Sequence, residues 1–165
     1  MAFDGFIKIE GIPGESTDSE HKDWIEVLSF NHLIEQPASA TASSVGGGTA
    51  ERVNHSPFTF THLLDKASPK IYDAVDTGRH LKEVKFELWR AGGNKVKYFE
   101  ITLEQAVISK VEPTGASTDD GFPSETVSIS YGKIKWNYIQ QKRDGGQGAG
   151  NVAAGWDLTA NKTYA

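Results

Sequence analysis

Apolar and polar residues alternate over short runs along most of this chain, the two-residue period of strands that bury one face. In the first run, Phe6 to Ile9, Ile7 and Ile9 share a face, and Ile12, Pro13 and Gly14 end it with turn chemistry. From Trp24 to Asn31, one face carries Trp24, Glu26, Leu28 and Phe30 and the other Ile25, Val27, Ser29 and Asn31. That second face begins apolar and ends small and polar, the gradient expected of a strand that leaves a core for a wet space. Phe58 to His62 predicts a third strand with an aromatic inner face. Glu83 to Arg90 sets Val84, Phe86 and Leu88 against Lys85, Glu87 and Trp89, and Gly92, Gly93 and Asn94 supply a hairpin turn into Lys95 to Leu103. A further strand is expected over Val107 to Glu112, and a Gly-, Ser- and Asp-rich link over Pro113 to Pro123. The last run passes from Glu125 through Val127, Ile129 and Tyr131 to Ile134, Trp136 and Tyr138. Its inward set changes parity at Gly132, which predicts a bulge.

One segment keeps a helical period instead. Ile71, Ala74 and Val75 share a helix face, Ser68 is placed to cap it, Pro69 suits its first position and Gly78 stands where helices end. Residues 37–57 form an extended loop of Ala, Ser, Thr and Gly with almost no bulky apolar residue, too poor in such residues to build a core. Residues 145–165 are read as a flexible glycine connector, Gly145 to Gly150, and a short tail from Trp156. The pattern implies one domain over 1–165, mainly β, an antiparallel β-sandwich or barrel with one flanking α-helix.

Composition narrows the function classes. A formal net charge of -5 and a pI near 5.5 disfavour general attraction to phosphate, so no nucleic-acid partner is expected. The start MAFDGFIKIEGIPGE carries Asp4 and Glu10 among its apolar residues, unlike a signal peptide, and no run is long and apolar enough to insert in a membrane. The absence of cysteine removes disulfides, thiolate metal sites and Cys nucleophiles together. Histidines at 21, 32, 55, 62 and 80 lack metal-site spacing, and no nucleophile elbow is present. Gly46, Gly47 and Gly48 lack the Lys and Ser or Thr of a phosphate loop, and the glycines from 145 miss the dinucleotide spacing. Asp119 and Asp120 beside Gly121 lack EF-hand spacing. No catalytic residue, metal ligand or cofactor is therefore expected. Trp89, between Glu87 and Arg90 on a polar face, is a candidate interface residue, set against simple partial cover by its neighbours.

Several long segments, in order, resemble one family: MAFDGFIKIEGIPGES, HKDWIEVLSFNH, FTFTHLLDKASPKIYDA, LKEVKFELWRAGG, YFEITLEQAVISKVEP and GWDLTANK. Together they span almost the whole chain and are similar to the Hcp tube proteins of the type VI secretion system. The resemblance implies a non-enzymatic β-sandwich or barrel that assembles into homohexameric rings, stacked into a tube inside a contractile sheath behind a spike protein. It implies assembly in the bacterial cytoplasm, then export to the exterior or into a target cell, and effector proteins sheltered in the lumen. It places the 37–57 loop, with Gly46, Gly47 and Gly48, at neighbouring subunits or rings, and turns Ser29 and Asn31 toward the lumen. His32, Leu33 and Ile34 depart from the Trp and Gly of many family members, so the lumen surface and its cargo are expected to differ there. A phage-type tail tube protein shares the fold. A monomeric ligand-binding β-sandwich, stacking a sugar on Trp24, Trp89 or Trp136, is the alternative of a different class.

Overall fold

The computed structural model describes residues 2–37, 52–142 and 147–164. The glycines at 46 to 48 and most of the 37–57 loop lie outside the described residues. Strand β1 (Phe3–Ile9) is held on both edges, antiparallel to β2 (Ile25–Val27) and to the long strand β7 (His80–Arg90). Its alternation serves this position, because Ile7 and Ile9 point into the core beside Ile25, Phe86 and Val84.

The run from Trp24 to Asn31 is not one strand. It divides at Leu28, where β2 ends and β3 (Ser29–Asn31) pairs instead with β6 (Phe58–Leu63). The Leu28 N–H donates to the Thr61 carbonyl at 2.8 Å, and its side chain is 55% exposed. The parity of the apolar side chains slips at this crossing, although Phe30 itself stays 37% exposed. Ile25 and Val27 are buried before it, whereas after it the Phe30 ring packs among Phe3, Phe58 and Phe86, at centroid separations of 6.0, 6.1 and 5.0 Å.

Strand β8 (Lys97–Thr114) runs 18 residues and unites the two strands expected over Lys95 to Leu103 and Val107 to Glu112. The interruption the pattern suggested is only a kink: Gln105 takes a left-handed φ of 52°, and the Gly132 N–H reaches the Glu104 and Gln105 carbonyls at 3.1 Å each. Backbone pairing therefore continues where side-chain alternation breaks. Strands β9 (Ser124–Ser130) and β10 (Lys133–Gln141) both run antiparallel to β8 and part at Tyr131 and Gly132. The expected parity change is present, with Val127 and Ile129 buried before the break and Ile134 after it. A Cβ on Gly132 would meet the Gln105 side-chain oxygen at 2.7 Å and the Gln105 Cβ at 3.2 Å, so the junction is tight and a larger residue would have to displace the Gln105 side chain.

From that junction the sheet diverges, β9 toward β6 and β10 toward β11 (Gln147–Asp157). The stretch expected to be a connector is thus strand from Gln147 onward. Its glycines work by absence: Gly148 lies against the Gln140 carbonyl, and Gly155 against the Tyr164 carbonyl, where a Cβ would collide with backbone. A short β12 (Lys162–Thr163) covers only the last residues of β11. Among the described residues, ten strands make this one antiparallel sheet, which branches at β8; two of its three ends, β2 and β3, are joined through Leu28, and the third is β12. A separate ribbon, β4 (Ile34–Glu35) and β5 (Asn54–His55), stands at the base of the long loop.

Helix α1 (Ser68–Thr77) lies on β8 with Ile71 and Ala74 buried, and Gly78 closes it at φ 63°. Its N-cap is Ala67, not Ser68. The Ser68 hydroxyl is directed to a carboxylate inside the protein, while the Asp65 carboxylate accepts the Ala67 N–H at 2.9 Å and turns the chain ahead of the helix. The core holds Ile7, Ile25, Phe58, Phe60, Phe86, Leu103 and Ile129, all fully buried. Each such side chain contributes about 1.5–3 kcal/mol of transfer free energy.

Candidate functional site

Cross-strand register assembles a surface the one-dimensional pattern conceals. Ser29 pairs with Thr61, which pairs with Thr126, which pairs with Glu112; Asn31 pairs with Thr59, then Ser128, then Lys110. Directly opposed residues share a sheet face. Strands β3, β6, β9 and the end of β8 therefore present two rows of small polar side chains flanked by Lys110 and Glu112, which pair at 3.7 Å. Thr59 and Ser128 hydroxyls bond at 3.1 Å, and Ser29 and Asn31 are exposed. The other face of these strands carries Phe58, Phe60, Val127 and Ile129 in the core. The face is hydroxyl-rich, and its Lys110 and Glu112 charges balance. It suits reversible contact with a partner and holds no activated nucleophile. Only its Ser29 and Asn31 end was legible in the sequence, because Thr59, Thr61, Thr126 and Ser128 acquire meaning through register alone.

Three histidine clusters lie elsewhere. His21 is buried, with Nδ1 2.7 Å from Asp18 Oδ2 and Nε2 2.7 Å from Glu87 Oε2. The ring stacks on Phe6 at 4.1 Å and is met edge-on by Trp24 and Trp89. Hydrogen bonds from Lys95 first and His21 second hold the Asp18 carboxyl down to about 2. Its contribution to stability is thus fully present above the ordinary carboxylate range and is lost as pH falls toward about 2. Burial would raise Glu87, but His21, the Trp89 indole and Lys97 outweigh it and hold its carboxyl below the usual range. Trp89 is accordingly half-buried, its Nε1 donating to Glu87 at 2.8 Å, rather than a free aromatic face. Trp24 and Trp89 converge on His21 while Trp136 lies beside His55, so the three indoles make no common stacking platform.

His62, Ser68 and Glu125 have the composition of a hydrolase triad but not its geometry. The Ser68 hydroxyl donates to Glu125 Oε1 at 2.8 Å, not to the imidazole, and His62 Nε2 meets the same oxygen at 2.7 Å. All three are buried, and Tyr72 donates to Glu125 Oε2 at 2.6 Å. Burial and the Glu125 charge push the Tyr72 hydroxyl up to about 12. The cluster fastens α1 to β6 and β9.

In the third cluster, His32 Nε2 and His55 Nδ1 approach one atom, the Tyr131 hydroxyl, at 2.6 and 2.7 Å. Burial lowers both imidazoles, His32 further because of His55, and pushes Tyr131 far up. Among the described residues, no group of three or more His, Cys, Asp or Glu could hold a metal ion.

The profile described as "Type VI secretion system effector, Hcp" matches residues 6–138. The chain belongs to the Hcp family of the type VI secretion system. It is 35% identical to "Protein hcp1" of Pseudomonas aeruginosa over 162 residues, 98% of each chain. It is 30% identical to "Major exported protein" of the same organism over 76% of this chain and 74% of that one. A solved "type six secretion system protein" superimposes at a TM-score of 0.93 with 30% identity, covering 99% of this chain and 100% of that one. Hcp is a family of secreted tube proteins that form tube assemblies, and it is not an enzyme family. No helix among the described residues is long and apolar enough to cross a membrane.

Proposed function

We propose that this chain is the ring-forming subunit of the secretion tube, six copies to a ring, with the hydroxyl face toward the lumen. The observation that carries the proposal is the open edge of β11. Among the described residues, the outer edge from Gln147 to Gly155 has no strand partner beyond the short β12 contact, and this stretch contains no charge and no proline. Asn151, Val152, Ala153 and Ala154 are all exposed, beside an exposed Tyr138. Monomers blunt such edges with lysine, proline or bulges, because unpaired N–H and C=O groups recruit another chain. A distinct apolar patch, Leu28, Leu63, Leu64 and Phe122, lines a surface groove near the β2 to β3 crossing. Two unlike patches are what a head-to-tail contact closing by rotation needs.

Trp89 and the loop glycines Gly46, Gly47 and Gly48 are proposed as further subunit contacts, the loop reaching a neighbouring ring. Spike, sheath and effector proteins are the proposed partners, with assembly in the cytoplasm before export. Negative-stain imaging and light scattering test the assembly: rings with a central hole are expected, and a strict monomer at high concentration and moderate salt would overturn it. The lumen assignment has its own test. Asn31→Gln adds one methylene at an exposed position, so stability should change by about 0.5 kcal/mol or less and rings should persist. Retention of a lumen-bound effector should fall, since lost complementarity is felt by a bound partner more than by the fold. Failure of the rings to form with Asn31→Gln would place Asn31 in a subunit contact instead.

A further inference from the structure

The ribbon at the base of the long loop meets the body at Tyr131 and, through Arg52, at Leu158. Among the described residues, β4 and β5 pair only with each other, Ile34 opposite His55 and Glu35 opposite Asn54. Leu33 and Ser56 tie the two legs together, the Ser56 N–H reaching the Leu33 carbonyl at 2.9 Å and the Leu33 N–H reaching Ser56 Oγ at 2.9 Å. Both legs then converge on Tyr131, at the junction where β9 and β10 part. His32, just before β4, and His55, on β5, bond its hydroxyl from two sides.

A phenol has one proton to give and two lone pairs to receive, so its bonding capacity is best used when one imidazole accepts from the hydroxyl and the other donates to it. That arrangement requires an unprotonated nitrogen, and protonation of the accepting ring leaves the hydroxyl proton without its acceptor. The second imidazole, with its ring centre 6.1 Å from the first, would then carry like charge at short range. The groups facing the pair from neighbouring elements are Phe58 of β6, Trp136 of β10 and Tyr131 itself, none of them able to neutralise a cation. The ribbon's own charged residues, Glu35 and Arg52, are exposed, and Arg52 donates to the Leu158 carbonyl at 2.7 Å.

We propose that His32, Tyr131 and His55 form a proton-released clasp, closed near neutral pH and opened by acid, that frees the β4 and β5 ribbon. The sign follows from the lowered imidazoles. A base depressed in the folded state stabilises that state above its unfolded value, about 6.5, and this contribution is lost as pH falls through the folded value. The clasp opens locally because the ribbon shares no ladder with the main sheet. The opening rests on contacts within one chain and does not depend on the tube reading.

Hydrogen exchange, corrected for intrinsic rates, tests it on the full-length protein at pH 7.5 and 5.0. Amides of Glu35, Asn54 and Ser56 should lose protection at least about tenfold at pH 5.0, while those of β7 and β8 hold. His32→Gln with His55→Asn places amide groups where the bonding nitrogens stand but cannot titrate, so the ribbon should stay protected at both pH values. Tyr131→Phe should leave it exposed at both. Unchanged ribbon protection in the wild type, or the same acid response in the His32→Gln, His55→Asn variant, would overturn the clasp. Scattering on the same samples separates the two ideas: a monomer whose ribbon still opens keeps the clasp and defeats the tube, and rings whose ribbon never opens do the reverse.

Discussion

Glu125→Ala should remove about 3–5 kcal/mol of folding stability, the scale for breaking a buried ionic and hydrogen-bonded network by deleting one partner. Glu125 is 1% exposed and accepts from three groups at once, His62 Nε2, the Ser68 hydroxyl and the Tyr72 hydroxyl. Truncation leaves all three without an acceptor in a site where His62 Nδ1 already lacks a hydrogen-bond partner. Ser68→Ala and Tyr72→Phe each remove one donor and leave the carboxylate its others, so each should cost only about 1 kcal/mol. Native domains hold roughly 5–15 kcal/mol in total, which makes the alanine variant a marginal fold. Urea unfolding measures it as a fall in midpoint with unchanged slope. A Glu125→Ala protein within about 1 kcal/mol of wild type would mean that water enters and replaces the carboxylate.

Val152→Lys should convert rings to monomers with little effect on the fold. Val152 is 71% exposed, so the monomer should lose about 0.5 kcal/mol or less. On the open edge the lysine repeats at every interface of a ring and must be desolvated in each, so association should weaken by about a hundredfold or more, some 2.7 kcal/mol per contact. Ser117→Lys, in the exposed link before β9, adds the same charge away from the edge and should leave rings intact. Sedimentation at matched concentration reads both. Rings formed equally well by Val152→Lys would remove β11 from the interface.

Elements held by local chemistry were legible before the structure. The β7 to β8 hairpin announces itself through Val84, Phe86 and Leu88 and the glycines after them, and Gly78 terminates α1 where a left-handed residue was needed. What escaped depends on contacts distant in sequence. Glu87 shares parity with Lys85 and looks solvated, yet it is 7% exposed, because the segment around His21 crosses that side of the strand. Leu28 looks like any strand residue; only the positions of β1 and β6 make it a crossing. The glycines of β11 suggest slack until Gln140 and Tyr164 lie against them, when the missing side chains become a fitting condition. The polar face lies between these cases. Ser29 and Asn31 could be seen in the gradient of one strand, while the hydroxyl rows that extend them across β6, β9 and β8 exist only in register.

The placement of β1 and β11 also makes the subunit mechanically lopsided. A pull along β1 loads its ladders with β7 and β2 in shear, so many bonds must yield together. A sideways pull on β12 loads the edge like a zipper, parting β12 and then β11 pair by pair. Thrust carried through the β1 side would therefore meet a stiff beam, and the same subunit tugged at its C-terminal strands would peel.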